Sequence, residues 1–213
     1  MSKSEDIVNL FLTLRGYGIS DPIFLKAIES TPKEQFIPSQ FYNLAWKEIT
    51  IPIPCGQTII PAVICMRLLD ALEVQSTHSV LEVGTGTGFQ TALLSRLAKK
   101  VYSVERYRTL VEEARGRFCR LNIQTVQIFH ANALNLESDH KLYDRIITDL
   151  AFDEIPISLF NLLASNGVMI TAIGLKNEEQ MVVKIKKIGN HFEKQDLFPV
   201  RFSQFETGMP QIL

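Results

Sequence analysis

Apolar residues follow two different periods along this chain, and the change from one to the other separates predicted helices from predicted strands. Helical spacing with capping or proline start signals occurs at Glu5 to Leu14, Pro22 to Ser30 and Pro61 to Leu72. Between the last two, Phe36 to Pro54 has few helix signals and several prolines. We therefore expect an irregular connector there, which could lie over a site.

From residue 79 onwards, short apolar runs alternate with helical segments. The runs predict strands at Ser79 to Val83, Val101 to Glu105, Thr125 to Phe129, Arg145 to Asp149 and Val168 to Ala172. The helices predicted between them are Gln90 to Ala98, Arg108 to Leu121 and Pro156 to Leu163. This alternation predicts an α/β fold, with a doubly wound, mostly parallel, Rossmann-like sheet and helices on both of its faces.

The end of the chain has a different pattern. Met181 to Ile188 alternates apolar residues with lysines, and His191 to Phe202 is again strand-like. Both segments are expected to form antiparallel strands at one edge of the sheet. The predicted organisation is an N-terminal helical extension and substrate-side connector at 1–60, a ligand-binding core at 61–175, and C-terminal edge strands of the same domain at 176–213.

Composition and charge exclude several functional classes. The 213 residues are 46% hydrophobic and 21% charged with a net charge of −1, so the chain has no basic footprint for nucleic acid and no sign of a membrane-surface protein. Three cysteines without close pairs indicate neither a disulfide framework nor a metal site. No signal-peptide pattern is visible. We therefore expect a reduced, cytoplasmic, monomeric protein that binds no metal, nucleic acid or membrane.

The strand at 79–83 runs into a loop with three alternating glycines. The loop reads Gly84-Thr85-Gly86-Thr87-Gly88. Glycines permit positive φ and let backbone N–H groups approach a nucleotide-like ligand. Phe89 stands where the dinucleotide fingerprint has its third glycine, and Glu82 is an acid inside an apolar strand. Both departures favour S-adenosylmethionine over a nicotinamide or flavin, although Glu82 could instead pair with a helix.

Three further strand ends bring polar residues to the same edge of the sheet. Glu105 could accept hydrogen bonds from two ribose hydroxyls, or it could cap the following helix. Asn132 could read the adenine edge through its amide, or it could be an ordinary turn asparagine. Asp149 ends the fourth strand, where the transferable methyl group should face its acceptor.

Motifs over most of the chain resemble those of the protein-L-isoaspartate O-methyltransferases. They are Arg15-Gly16-x-Gly18-Ile19, Phe36-Ile37-Pro38, Gly56-Gln57-Thr58-Ile59, Gln90-Thr91-Ala92, Ser103-Val104-Glu105-Arg106, Glu154-Ile155-Pro156 and Val200-Arg201-Phe202. The glycine loop alone indicates only a class I methyltransferase, whereas the Gly-Gln-Thr-Ile and Val-Arg-Phe segments are more specific. The resemblance implies the methyltransferase form of the Rossmann-like sheet.

The resemblance also implies an activity, which is repair of damaged proteins. A methyl group would pass from S-adenosylmethionine to the carboxylate of an L-isoaspartyl residue in a protein or peptide, leaving S-adenosylhomocysteine as product. The cofactor-binding candidates are Glu82, Gly84, Thr85, Gly86, Gly88, Glu105, Arg106, Asn132 and Ala133. The catalytic candidates are Cys55, Thr58 and Asp149.

Several acceptor-side residues depart from the family pattern. Cys55 replaces the serine that is treated as the active-site residue, Ile60 replaces a second serine, and Asp149 to Phe152 replaces Thr-Ala-Ala-Pro. Two alternatives therefore stay open. Asp149 to Phe152 weakly resembles the Asp/Asn-Pro-Pro-Tyr/Phe loop of amino-group methyltransferases, so the acceptor could be an amino group or another small molecule. The loss of two hydroxyls could instead indicate a non-catalytic S-adenosylmethionine-binding protein.

Overall fold

The computed structural model describes residues 3–136 and 141–210, so the ends of the predicted terminal units at 1–2 and 211–213 lie outside the described residues. The helices of this part are α1 (Lys3–Gly16), α2 (Pro22–Glu29), α3 (Ala62–Leu72), α4 (Phe89–Leu97), α5 (Arg108–Arg120) and α6 (Ile157–Asn161). The strands are β1 (Ile51–Ile53), β2 (Gln57–Ile59), β3 (Ser79–Val83), β4 (Lys100–Glu105), β5 (Val126–His130), β6 (Tyr143–Phe152), β7 (Leu163–Ile173), β8 (Gln180–Ile188) and β9 (His191–Val200).

Strands β3 to β9 form one sheet in the order β5-β4-β3-β6-β7-β8-β9. The pairs among β3 to β7 are parallel, and β8 and β9 add antiparallel strands at one edge. The predicted fold class is therefore confirmed. After β5 the chain returns to the other side of β3, so the strand order reverses between β3 and β6. Ligands of such sheets bind at this switch point, beyond the carboxyl ends of the strands.

The parallel strands are apolar on both faces, because both faces are covered. Val80 and Leu81 are neighbours in β3 and point to opposite sides, yet both are fully buried. The core cluster that contains Val80 also contains residues of α1 to α5. The cluster that contains Leu81 includes Leu159 and Phe160 of α6. Helices thus lie on both faces, but five of the six described helices pack on one of them.

The predicted connector has more structure than its prolines suggested. Two 3₁₀ helices, Lys33–Phe36 and Ser39–Leu44, precede β1. Strands β1 and β2 then pair as an antiparallel hairpin that the sequence did not predict. Its turn is formed by Cys55 and Gly56 at φ of 63° and 66°. A three-residue strand is too short for a period-2 pattern to identify it.

Strand β6 is longer than predicted because it contains a bulge. Ile147 pairs with Ile170 of β7, and Ala151 pairs with Ala172, so residues 148–150 lie opposite Thr171 alone. A bulge of this kind bends its strand and redirects side chains. Helix α6 is shorter than the predicted 156–163, since Leu163 already begins β7.

Among the described residues, no helix is both long enough and apolar enough to cross a membrane. The same residues contain no group of three or more His, Cys, Asp or Glu side chains arranged to hold a metal ion.

Candidate active site

The switch point between β3 and β6 opens into a cavity of about 480 Å³. This volume lies within the range of about 300–1,000 Å³ that is usual for small-ligand sites. The glycine loop, the ends of β4, β5 and β6, the β1–β2 hairpin and residues 199–206 line it. The structure thus brings two motifs that are distant in the sequence, Gly-Gln-Thr-Ile and the glycine loop, to the wall of one cavity.

The three loop glycines have different roles. Gly84, Gly86 and Gly88 all adopt positive φ, at 93°, 52° and 89°. Gly84 and Gly86 line the cavity, whereas Gly88 does not. A Cβ atom on Gly88 would lie 2.8 Å from Cζ of Phe118 in α5. Gly88 therefore permits close packing of the loop against α5, and the other two bring backbone to the cavity wall.

Glu82 is fully buried beneath the loop and does not line the cavity. One of its carboxyl oxygens, Oε2, accepts hydrogen bonds from the hydroxyls of Thr91 in α4 and Ser103 in β4. Ser103 Oγ also lies 2.6 Å from Thr85 Oγ1, which links this network to the loop. Burial raises the pKa of Glu82 to about 8, although the two hydroxyls act in the opposite direction. Glu82 therefore supports the loop through this hydroxyl network, and its bond from Thr91 also connects it to helix α4.

Glu105 lies at the cavity wall with a carboxylate held by backbone groups. Its Oε2 accepts from Gly86 N at 2.9 Å, and its Oε1 accepts from Tyr107 N at 3.0 Å, just before α5 begins. Glu105 does not cap α5 itself, because the N–H group that it accepts from belongs to Tyr107, the residue before the helix. Its place on the cavity wall keeps it a candidate for binding ribose hydroxyls. Arg106 also lines the cavity, where its Nη1 donates to Glu206 Oε2 at 2.9 Å.

Asn132 and Ala133 line the cavity beyond the end of β5. Asn132 Oδ1 accepts a hydrogen bond from Leu134 N at 3.1 Å and so caps the 3₁₀ helix Ala133–Asn135. The turn interpretation of this asparagine is confirmed. Its position on the wall leaves its NH₂ group as a candidate contact for a ligand.

The three catalytic candidates do not lie together. Thr58 and Asp149 line the cavity, as does Ile60, whereas Cys55 is not among the lining residues. The Cys55 thiol lies near the side chain of Thr109 in α5, which acts to lower its pKa. Burial and the nearby Glu105 charge raise the thiol pKa. Cys55 therefore carries a protonated thiol at neutral pH, turned towards α5.

Asp149 lies in the β6 bulge, one residue beyond the last β3–β6 pair, Val83 with Thr148. Its Oδ1 is 3.6 Å from the point that a Cβ on Gly84 would occupy. Burial raises the Asp149 pKa to about 7; its own backbone N–H opposes the rise, and the charge of Glu105 adds to it. Strand β6 thus presents to the cavity the carboxyl of Asp149, which is partly protonated at neutral pH.

Sequence reasoning missed two residues that shape the site. Lys33 is fully buried, and its Nζ donates to Ile60 O at 3.4 Å behind the cavity wall. Burial lowers its pKa to about 8. Nothing in the local sequence marks it, since lysines are normally exposed. Gln204 lines the cavity in a segment that pairs with β6 through Ala151; the preceding Val-Arg-Phe motif was the available signal.

A family model and several relatives with similar sequences share one description. The family model described as protein-L-isoaspartate(D-aspartate) O-methyltransferase matches residues 5–207. A protein-L-isoaspartate O-methyltransferase of Bradyrhizobium sp. is 38% identical over 202 residues, covering 95% of this chain and 94% of its own length. The enzyme of that name from Parvibaculum lavamentivorans is 36% identical over 207 residues, covering 96% and 93%.

Two solved structures have a similar fold. One, described as a protein-L-isoaspartate O-methyltransferase, is 25% identical with a TM-score of 0.81, covering 94% of this chain and 66% of the other. A second, the corresponding protein from Plasmodium falciparum in complex with S-adenosyl-L-homocysteine, is 23% identical with a TM-score of 0.77, covering 93% and 97%.

Proposed function

Because this chain belongs to the protein-L-isoaspartate(D-aspartate) O-methyltransferase family, we propose that it methylates the carboxylate of L-isoaspartyl residues in damaged proteins or peptides. The methyl donor is S-adenosylmethionine. The observation that supports this most directly is the shared cavity, which both the Gly-Gln-Thr-Ile hairpin and the glycine loop line. One cavity could therefore hold the methyl donor and its acceptor together.

The residues present fit the donor. Gly84 and Gly86 give the wall bare backbone at positive φ. Within the described part of the chain, three buried polar atoms of the cavity wall have no hydrogen-bond partner: Thr87 Oγ1, Arg106 Nε and Gln204 Oε1. Buried polar groups are normally satisfied, so these atoms are suited to a polar ligand.

We assign the donor to the wall formed by Gly84, Thr85, Gly86, Glu105, Arg106, Asn132 and Ala133. Glu105 is held ready by two backbone N–H groups, and its remaining lone pairs can accept hydroxyl hydrogen bonds. Glu82 and Gly88 act on the same loop indirectly, through its hydroxyl network and its packing against Phe118.

The chemistry needs little acid–base assistance from the chain. When bound, S-adenosylmethionine supplies a methyl group on a sulfonium centre, which is a good leaving group. The acceptor carboxylate is already ionised at neutral pH, so no base has to activate it. The chain's residues then act by orientation and by exclusion of water, and orientation can supply about 7–11 kcal/mol.

Thr58 and Asp149 are the catalytic candidates that can touch reacting groups, because both line the cavity. Cys55 is better described as a positioning residue. Its left-handed backbone forms the hairpin turn, and Gln57 Nε2 donates to its carbonyl oxygen at 3.2 Å. A protonated thiol turned towards Thr109 is not suited to nucleophilic attack.

Composition and the cysteines also bear on where the protein acts and with which partners. We propose that the protein acts as a cytoplasmic monomer without nucleic acid or membrane partners, supported by its balanced charge and by Cys55, Cys65 and Cys119, which are all free. Size-exclusion chromatography with light scattering measures the oligomeric state directly.

The test of activity is a paired peptide assay with methyl-labelled S-adenosylmethionine. We expect label on an isoaspartyl peptide as a base-labile ester, and none on its aspartyl twin. Glu105→Ala should weaken donor binding about tenfold or more, because it removes charge-assisted hydrogen bonds. Glu112→Ala, an exposed acid on α5, is the matched control. Inactivity on both peptides by protein that binds the donor would refute the acceptor assignment, and base-stable label would indicate an amino acceptor.

A further inference from the structure

The β6 bulge gives this cavity an acid whose role the methyl-transfer chemistry does not require. The strand leaves β3 after Thr148 and rejoins the sheet at Ala151, whose N–H donates to Ser203 O at 2.9 Å. Asp149 lies between these two attachments and is therefore held by backbone on both sides. Its carboxyl lies near Gly84 of the donor wall and lines the same cavity as the C-terminal segment.

The ionisable groups that interact with Asp149 are themselves acids. The charge of Glu105 in β4 raises the Asp149 pKa, whereas Glu82 of β3 and the Cys65 thiol of α3 would repel it only when they are ionised. Among the described residues, no side chain is recorded as a hydrogen-bond donor to its carboxyl. An acid in this position is costly when ionised, unless a cation enters the cavity.

The cations of the cavity wall do not relieve this. Arg106 is engaged with Glu206, both through the carboxylate and through the carbonyl oxygen. Lys176 and Arg201 also line the cavity, but among the described residues neither forms an ion pair with Asp149. Lys33 lies behind Ile60 and interacts with Cys65 and Glu48. A cationic ligand in the cavity would therefore favour the ionised form of Asp149, which these side chains do not stabilise.

We propose that Asp149 recognises the sulfonium charge of the methyl donor and thereby makes the site prefer S-adenosylmethionine over S-adenosylhomocysteine. This inference rests on the proposed function, since it requires that cofactor. The donor and the product differ at one sulfur, which is cationic in the donor and neutral in the product. An ionised Asp149 stabilises the first and gains nothing from the second. Loss of the positive charge after transfer then favours product release.

A proton is linked to this preference. The free carboxyl has a pKa raised to about 7 and is partly protonated at neutral pH, and pairing with a cation favours its ionised form. Donor binding therefore releases a proton. Donor affinity falls as pH decreases below the free pKa, because the proton must first be removed. If the bound pKa lies below about 5, donor affinity rises roughly tenfold from pH 6 to pH 8.

Isothermal titration calorimetry with each ligand, at pH 6, 7 and 8, tests the inference without any acceptor. For the wild-type protein we expect the ratio of the two affinities to rise roughly tenfold across this range, with proton release visible as a buffer-dependent heat. Asp149→Asn should give a ratio that does not change with pH. Glu154→Gln is the matched control, because Glu154 is an exposed acid that follows the same strand and does not line the cavity.

The possible outcomes distinguish the role of Asp149 from the assignment of the cofactor. A wild-type ratio that is independent of pH, or an Asp149→Asn ratio that still rises, overturns the role of Asp149 while leaving the cofactor assignment intact. Binding of neither ligand overturns the cofactor assignment and this inference with it. Binding of both, with the expected ratios and no isoaspartyl methylation, supports Asp149 and contradicts only the acceptor.

Discussion

Replacing Glu82 by Gln should remove a large part of the pH dependence of folding stability. Glu82 is fully buried, and its pKa rises from 4.5 to about 8 on folding, chiefly through burial. Folding therefore takes up a proton on this group between those two values. The stabilisation is fully present below pH 4.5 and is lost as pH rises through about 8. Gln has nearly the same shape and cannot ionise.

The magnitude follows from the shift. A displacement of about 3.5 pKa units corresponds to about 5 kcal/mol, of which about 3–4 kcal/mol falls between pH 5 and pH 8. Such a loss is a large fraction of a typical folding stability of about 5–15 kcal/mol. The raised pKa of Asp149 also lowers stability as pH rises. Because Asp149 is present in wild type and in Glu82→Gln, its contribution cancels when their free energies of unfolding are compared.

The assay is urea unfolding of wild type and Glu82→Gln at pH 5, 6.5 and 8. The free energy of unfolding of wild type, relative to that of the variant, should fall by about 3–4 kcal/mol over this range. Glu112→Gln serves as control, since its exposed pair with Arg108 contributes little. Parallel profiles for wild type and Glu82→Gln would mean that Glu82 is ionised throughout, and the reasoning from burial would be wrong.

Two further substitutions test the surroundings of the site. Lys33→Met should show a pH effect on stability opposite to that of Glu82→Gln. The free energy of unfolding of wild type, relative to that of the variant, should rise by about 2–3 kcal/mol from pH 7.5 to pH 10. The reason is that Lys33 loses its proton at about pH 8 in the folded state and only near pH 10.5 in the unfolded state. Denaturant unfolding measures this difference. Lys186→Met, at an exposed lysine, is the control, and a rise of the same size relative to this control would contradict the role of burial. Gly88→Ala should cost about 2–4 kcal/mol, through positive φ and the clash with Phe118, and should weaken donor binding. Gly116→Ala in α5 should be neutral or stabilising in the same thermal and calorimetric measurements, and similar losses in both variants would refute the steric argument.

The periodic part of the fold was predictable because it depends on local pattern. All five core strands and the two C-terminal strands occur where alternation or apolar runs indicated them, within a few residues. Asp21, which stands directly before Pro22, caps α2 by accepting a hydrogen bond from Ile23 N at 2.7 Å. The β1–β2 hairpin and the β6 bulge were not predicted, since each depends on pairing geometry that a short segment does not reveal.

The cofactor half of the site was more predictable than the acceptor half. Glycines and an acid at strand ends fall on the same edge of a parallel sheet whatever the details, and Glu105 does meet Gly86 there. The orientation of Cys55 was not accessible in this way. Its side chain follows from a left-handed turn and from the packing of that turn against α5, so it faces Thr109 and not the cavity.

The sequence by itself determined the sheet, the glycine loop and the family, because backbone preference and hydrophobic period act over neighbouring residues. Only the tertiary structure decided which partners each acid has and how burial acts on it. Glu82, Glu105 and Asp149 are the same kind of group in the sequence, but burial and partners differ for each. Backbone N–H groups bond to Glu105, whereas burial raises the pKa of Glu82 to about 8 and that of Asp149 to about 7. Desolvation depends on what folds over a residue, and that information is not local in the chain.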